Sequence, residues 1–196
     1  RMTLLLGYGF VGVGFVAMLV LWDVGSAYWQ VGLAYALLGL GVGIAGTPAS
    51  HSLTGSVPVR RVGMASGTAD LQRDLGGALL QSMFGALLTA GYAAAVTATI
   101  AGAPSSTQQQ ITADVQSELT KSYAGAEQVA AQYPQYAAQI TAAARESFLQ
   151  GANWAYAAGI LAVLLGAALV AWKFPGHAAE LEDLKAYARE DAGARS

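Results

Sequence analysis

The stretch Thr3-Leu-Leu-Leu-Gly-Tyr-Gly-Phe-Val-Gly-Val-Gly-Phe-Val-Ala-Met-Leu-Val-Leu-Trp22 carries no Asp, Glu, Lys or Arg. A helix needs about 20 such residues to cross roughly 30 Å of hydrocarbon, and this run has that length. Further uncharged gaps separate Asp23 from Arg60, Asp74 from Asp114, and Glu146 from Lys173. The 196 residues are 55% hydrophobic and 11% charged. A soluble domain spends about a quarter of its residues on charge, so lipid must solvate most of this chain.

The spans follow outward from that first run. The first covers about 3–22, and Trp22, Tyr28 and Trp29 mark a membrane surface around the short turn Asp23 to Ala27. The second, about 28–53, holds Gly32, Gly39, Gly43 and Gly46, whose spacing returns to one face and permits close helix approach. Pro48 should kink its far end. The third runs from about 64 to 100, roughly 55 Å, so its last turns should project beyond the hydrocarbon. Residues 102–150 turn polar around Pro104 and a Ser-Ser-Thr-Gln-Gln-Gln run. Ile111, Val115 and Leu119, then Tyr136 and Ile140 after Pro134, recur every four residues and predict short amphipathic helices. The last span is about 151–173, and 174–196 form a charged tail with one weak apolar stripe of Leu181, Leu184 and Ala188.

Positive residues bias flanking segments toward the cytoplasm. Arg1, Arg60, Arg61, Lys173, Lys185, Arg189 and Arg195 fall on one side, with Lys121 and Arg145 on the other. Both ends of the segment are therefore expected inside and the 102–150 loop outside. Abundant Ala and Gly point to a high-GC bacterium, hence to the plasma (inner) membrane. The chain starts at Arg1, which reads as a cut within a longer polypeptide. A net charge of −2 argues against nucleic acid as a partner. With no cysteine, thiolate zinc sites, thiol nucleophiles and disulfides are excluded.

Chemistry concentrates in Ala65-Ser-Gly-Thr-Ala-Asp-Leu-Gln-Arg-Asp-Leu-Gly-Gly-Ala78. Asp70, Arg73 and Asp74 sit inside the start of an apolar helix, where an ionised side chain costs about 2.5 to 3.5 kcal/mol at the span centre. Asp70 and Asp74 are one turn apart, and Gln81 lies on nearly the same face two turns on. Two close carboxylates should not both ionise easily, which suits proton exchange. Arg73 is expected to pair with Asp70, leaving Asp74 to bind a proton or cation. The competing reading makes all three a structural ion network at the water boundary. His51, near Pro48, is either a structural residue or a proton relay. Gly7-Tyr-Gly-Phe-Val-Gly12 fits G-x-G-x-x-G, yet no amphipathic helix, second strand or distant acid follows, so helix packing explains it better. Triad, glycosidase and metal spacings are missing, and neither an enzyme nor a cofactor or metal is expected.

Pro58-Val-Arg-Arg-Val-Gly-Met-Ala-Ser-Gly67, followed by Arg73-Asp-Leu-Gly-Gly77 and Phe84-Gly85, resembles the fourteen-helix drug:proton antiporter branch of the major facilitator superfamily. The long outer loop before the last helix is similar too. The resemblance covers essentially the whole chain and implies the C-terminal four helices of a helical-bundle carrier. Asp74 and Asp70 match two acids of the penultimate helix in its quaternary-ammonium exporters, which implies roles in recognising cations or protons. Gln81 would join them on the substrate side, with Arg73 and Arg60 or Arg61 organising a gate. The expected function is proton-coupled export of amphipathic or cationic drugs, a multidrug-resistance activity. A lipid exporter and a nontransporting scaffold that binds a partner through the outer loop are the alternatives. The implied partners are membrane lipids, the missing N-terminal helices, protons and a small amphipathic substrate. Four helices cannot line an alternating-access path, so the chain alone should not transport. The chain should need detergent or lipid throughout purification; its recovery as a water-soluble monomer would overturn the membrane reading.

Overall fold

The computed structural model describes residues 1–55, 57–174 and 185–186, with only the backbone described over 51–55. The side chains of His51 and His177 and the stripe of Leu181, Leu184 and Ala188 lie outside the described residues. Among the described residues the structure has, in order, the helices α1 (Met2–Leu21), α2 (Tyr28–Gly55), α3 (Val62–Gly102), α4 (Ser105–Gln110), α5 (Ala113–Lys121), α6 (Tyr123–Gln132) and α7 (Ala137–Lys173). Single 3-10 turns, Val59–Arg61 and Pro134–Tyr136, precede α3 and α7. Among the described residues there is no strand.

Among the described residues, four stretches are long and apolar enough to cross a membrane: Met2–Leu21, Tyr28–Ser50, Val59–Gly102 and Pro134–Lys173. The chain is therefore an all-α, membrane-embedded protein. In hydrocarbon a polar side chain must find its partner nearby, and the threonines of α3 do so by bonding back one turn. The hydroxyls of Thr68, Thr89, Thr97 and Thr99 donate to the carbonyls of Met64, Gly85, Ala93 and Ala95 at 2.8 to 3.0 Å. Proline marks the end of α3 and the start of α7, whereas Pro48 lies inside α2. Pro104, with no N–H to offer, caps α4 just beyond the end of α3, and Pro134 opens the turn into α7.

One boundary differs from the sequence reading. Tyr136 and Ile140 were expected to mark a short helix of the loop, separate from the last span. Instead α7 runs unbroken from Ala137 to Lys173, 37 residues, with Ile140 in its first turns. Alanine is the best helix former, and the Ala-rich start of α7 holds no breaker that would stop it before the apolar run.

The chain divides into two compact units. The first comprises Arg1–Val16, Gly32–Leu80 and the described residues from Ile160 onward. Here α1 packs on α2 at glycines: a Cβ added at Gly41 would stand 2.7 Å from the Gly7 carbonyl oxygen and 2.6 Å from Val11 Cγ2. The glycines expected to make this approach, Gly32, Gly39, Gly43 and Gly46, have no atom within 4 Å of such a Cβ. Gly41 lies about 160° around the helix from Gly39, so α1 meets the opposite face. Of the motif glycines on α1, Gly7 is in close contact, Gly12 is in ordinary contact with Val163, and Gly9 faces open space. Tyr8 lies against Gly166 of α7, and the Arg1 guanidinium donates to the Ala171 carbonyl.

The second unit comprises Ala17–Val31 and Gln81–Gly159. Helices α3 and α7 meet at Gly91 and Gly151, where a Cβ on Gly151 would reach within 2.5 Å of the Leu88 carbonyl oxygen. The short helices α4 to α6 form a cap on the end of α3 and the start of α7. Thr112 caps α5 by accepting from the Val115 amide, and Ser122 caps α6 by accepting from the Gly125 amide at 3.0 Å. Buried Tyr92 of α3 ties the cap down, its hydroxyl 2.9 Å from the Leu119 carbonyl and 3.2 Å from that of Ser122. Trp22 and Tyr156 meet edge to face at 5.6 Å between ring centres.

These contacts predict unequal costs. Gly151→Leu should destabilise the chain by about 2 kcal/mol through overpacking, and Tyr92→Phe by about 1 kcal/mol through its lost hydroxyl bond. Gly9→Ala should stay within about 0.5 kcal/mol. Thermal loss of helicity in detergent measures all three; equal melting of Gly151→Leu and the unsubstituted chain would contradict the α3 and α7 contact.

Candidate functional site

The charged face of α3 belongs to the first unit. Asp70 lies about 12 Å along the axis from the start of α3 and Asp74 about 18 Å. A spacing of three residues sets Arg73 beside Asp70, and its guanidinium donates to Asp70 Oδ1 at 2.6 Å. This is the pairing read from the spacing. Asp74 stands one turn beyond Asp70, outside that pair. All three side chains are exposed, and so are their apolar neighbours Leu71 and Leu75. This length of α3 therefore presents both charge and hydrocarbon at the surface of the chain.

The other predicted residues are placed as follows. Arg60 and Arg61 are exposed in the 3-10 turn before α3 and take no part in the Asp70 and Arg73 pair. Gln81 is exposed on α3 at the start of the second unit. The backbone at His51 continues α2. Among the described residues, no three His, Asp or Glu side chains gather closely enough to hold a metal ion.

A second candidate site lies wholly within the second unit. The cap and the adjoining ends of α3 and α7 enclose a cavity of about 440 Å³, within the range of small-molecule pockets. Val96, Val115, Leu119, Val129 and Ile140 are among its apolar lining residues, and Gln110, Gln135, Gln139 and Tyr136 supply polar groups. Tyr136 donates its hydroxyl to Gln110 Oε1 at 3.3 Å, joining the end of α4 to the turn before α7. Among the described residues that line it, none is Asp, Glu, Lys, Arg or His. The sequence reading passed over this site. The four-residue spacing of Ile111, Val115 and Leu119 signalled one apolar face, but the cavity requires that face to meet residues of α3, α6 and α7 far away in the chain.

No protein-family model matches the chain, and neither a curated protein nor a solved structure is similar enough to it to count as a match.

Proposed function

We propose that this chain forms the C-terminal part of a proton-coupled exporter of the major facilitator type, in the fourteen-helix drug:proton antiporter branch. It acts as a carrier, without covalent catalysis. The observation that supports the reading most directly is the exposed Asp70, Arg73 and Asp74 within a membrane-spanning stretch. Hydrocarbon does not solvate ionised groups, so this face needs water, substrate or further helices against it. A water-filled transport path lined partly by other spans of the same carrier meets that need. In this reading Arg73 neutralises Asp70, and Asp74 exchanges a proton for a cationic or amphipathic drug. Gln81 contributes a neutral contact to the substrate, and Arg60 and Arg61 take part in the cytoplasmic gate.

The protein then resides in a bacterial inner membrane, with Arg1 and the tail in the cytoplasm and the cap outside. The distribution of Lys and Arg supports this orientation. A second reading, an exporter of lipids or lipid-like molecules in the same superfamily, draws on the 41 residues of α3. At about 60 Å that helix is twice the hydrocarbon thickness and can carry a hydrophobic cargo route beyond the bilayer.

Asp74→Asn in the whole carrier should reduce proton-driven ethidium efflux at least about tenfold, equivalent to roughly 1.4 kcal/mol, with insertion and expression unchanged. Undiminished efflux of every substrate tested would end the assignment of Asp74. Because the chain has no cysteine, single cysteines report orientation without background. Ser106→Cys should react in intact cells with a membrane-impermeant maleimide and Arg61→Cys only after lysis; the reverse pattern would invert the topology.

A further inference from the structure

We propose that the cap cavity is a binding site for an uncharged amphipath with one slender apolar chain, of the monoacylglycerol or fatty-alcohol class. Its inner surface is set by residues that are themselves closely packed: Tyr92, Val96, Ala126, Val129 and Ala144 are all buried. Gln110, Tyr133, Gln135, Tyr136 and Gln139, which offer amides and hydroxyls, are exposed, whereas the lining hydroxyls of Tyr92 and Ser147 belong to buried residues. The cavity thus grades from a mostly apolar floor, in which Tyr92 and Ser147 carry the hydroxyls, to a polar mouth of neutral groups. Water on such a floor would find few hydrogen-bond partners, and apolar cavities of this kind stay dry or take apolar ligands. A ligand that lays a hydrocarbon chain on the floor and keeps hydroxyls at the mouth satisfies both ends.

The exclusion of charge selects the head group. The cap and the start of α7 carry Asp114, Glu118, Lys121, Glu127, Arg145 and Glu146. None of these lines the cavity, whose polar groups are all neutral amides and hydroxyls. At this mouth an anionic or cationic head finds no counter-charge and gives up part of its hydration, so a neutral head is favoured. Neutral amides and hydroxyls both donate and accept, which suits a glycerol or alcohol head.

The assignment does not depend on export. Binding of the probe in the cap, together with a whole carrier that supports no efflux, would defeat the exporter reading and leave this one standing. The test uses the 196-residue chain in phosphatidylcholine nanodiscs with a monoacylglycerol bearing a diazirine at its chain end. After photolysis, cross-links are mapped by mass spectrometry. Strong labelling of cap residues lining the cavity is expected, displaced by unlabelled monoacylglycerol, whereas labelling of α1 and α2 reports bulk lipid contact and should resist displacement. Ile111→Trp and Ala143→Trp, which fill the cavity from different elements, should each lower cap labelling about tenfold at unchanged helicity. A fatty acid and an alkyltrimethylammonium with the same diazirine should label the cap at least about tenfold less. Cap labelling no stronger than that of α1 and α2, or not displaced by unlabelled monoacylglycerol, would overturn the site even if both variants failed to fold. Equal labelling by the three probes would overturn the neutral head group.

Discussion

A peptide group surrounded by hydrocarbon has no water to bond, so its N–H and C=O must be satisfied within the same segment. The rest of the structure depends on that constraint. It favours a continuous helix through each apolar stretch long enough to cross the bilayer, and it suits the threonines of α3, which return their hydroxyls to carbonyls one turn back. It also changes how exposure is understood. Leu40, Val42, Leu161, Leu164 and Leu169 are exposed on the chain surface, where lipid or neighbouring helices solvate them at no cost. Exposed Asp70, Arg73 and Asp74 have no such solution. On a soluble protein these would be ordinary surface charges worth little. At any depth where hydrocarbon would reach them, they require a wet or protein-covered environment.

Small residues provide the second level of organisation. Lipid tails are as apolar as leucine, so helices in a bilayer gain little from simple hydrophobic contact and depend on close backbone approach. Gly7 with Gly41 in the first unit, and Gly91 with Gly151 in the second, permit that approach. Each pair leaves too little room for a methyl group. Large side chains at these positions would therefore separate helix axes in addition to adding local bulk.

Much of this was legible in the residues, with failures that have definite causes. The gaps between charges signalled the four long apolar helices found among the described residues, because the bilayer fixes a minimum length for a span. The aromatic residues Trp22, Tyr28 and Trp29 marked the first turn to within a residue or two. The Asp70 and Arg73 pair followed from three-residue spacing, since helix geometry alone brings those side chains together. The start of α7 did not, because a four-residue apolar period is the same in a short amphipathic helix and in the first turns of a long one. Gly32, Gly39, Gly43 and Gly46 showed the same limit. Periodicity reveals which residues share a face, and tertiary packing decides that α1 meets the face bearing Gly41.

The cap cavity was hidden for a further reason. Its lining draws on α3, the joint after α4, α5, α6 and the start of α7, and no single one of these segments shows a pocket by its pattern. Once assembled, it separates apolar volume from charge. A cavity wide enough for a small molecule and free of charged lining favours neutral ligands, because burying an unpaired ion costs more than the apolar contact returns. The acids of α3 have the opposite property: they carry charge at the chain surface and can attract a cation only where water or partner helices supply the remaining walls. Neutral and cationic amphipaths therefore meet different chemistry on this chain. If both proposed sites hold, a neutral molecule with an apolar tail favours the cap, and a cation favours the acids of α3.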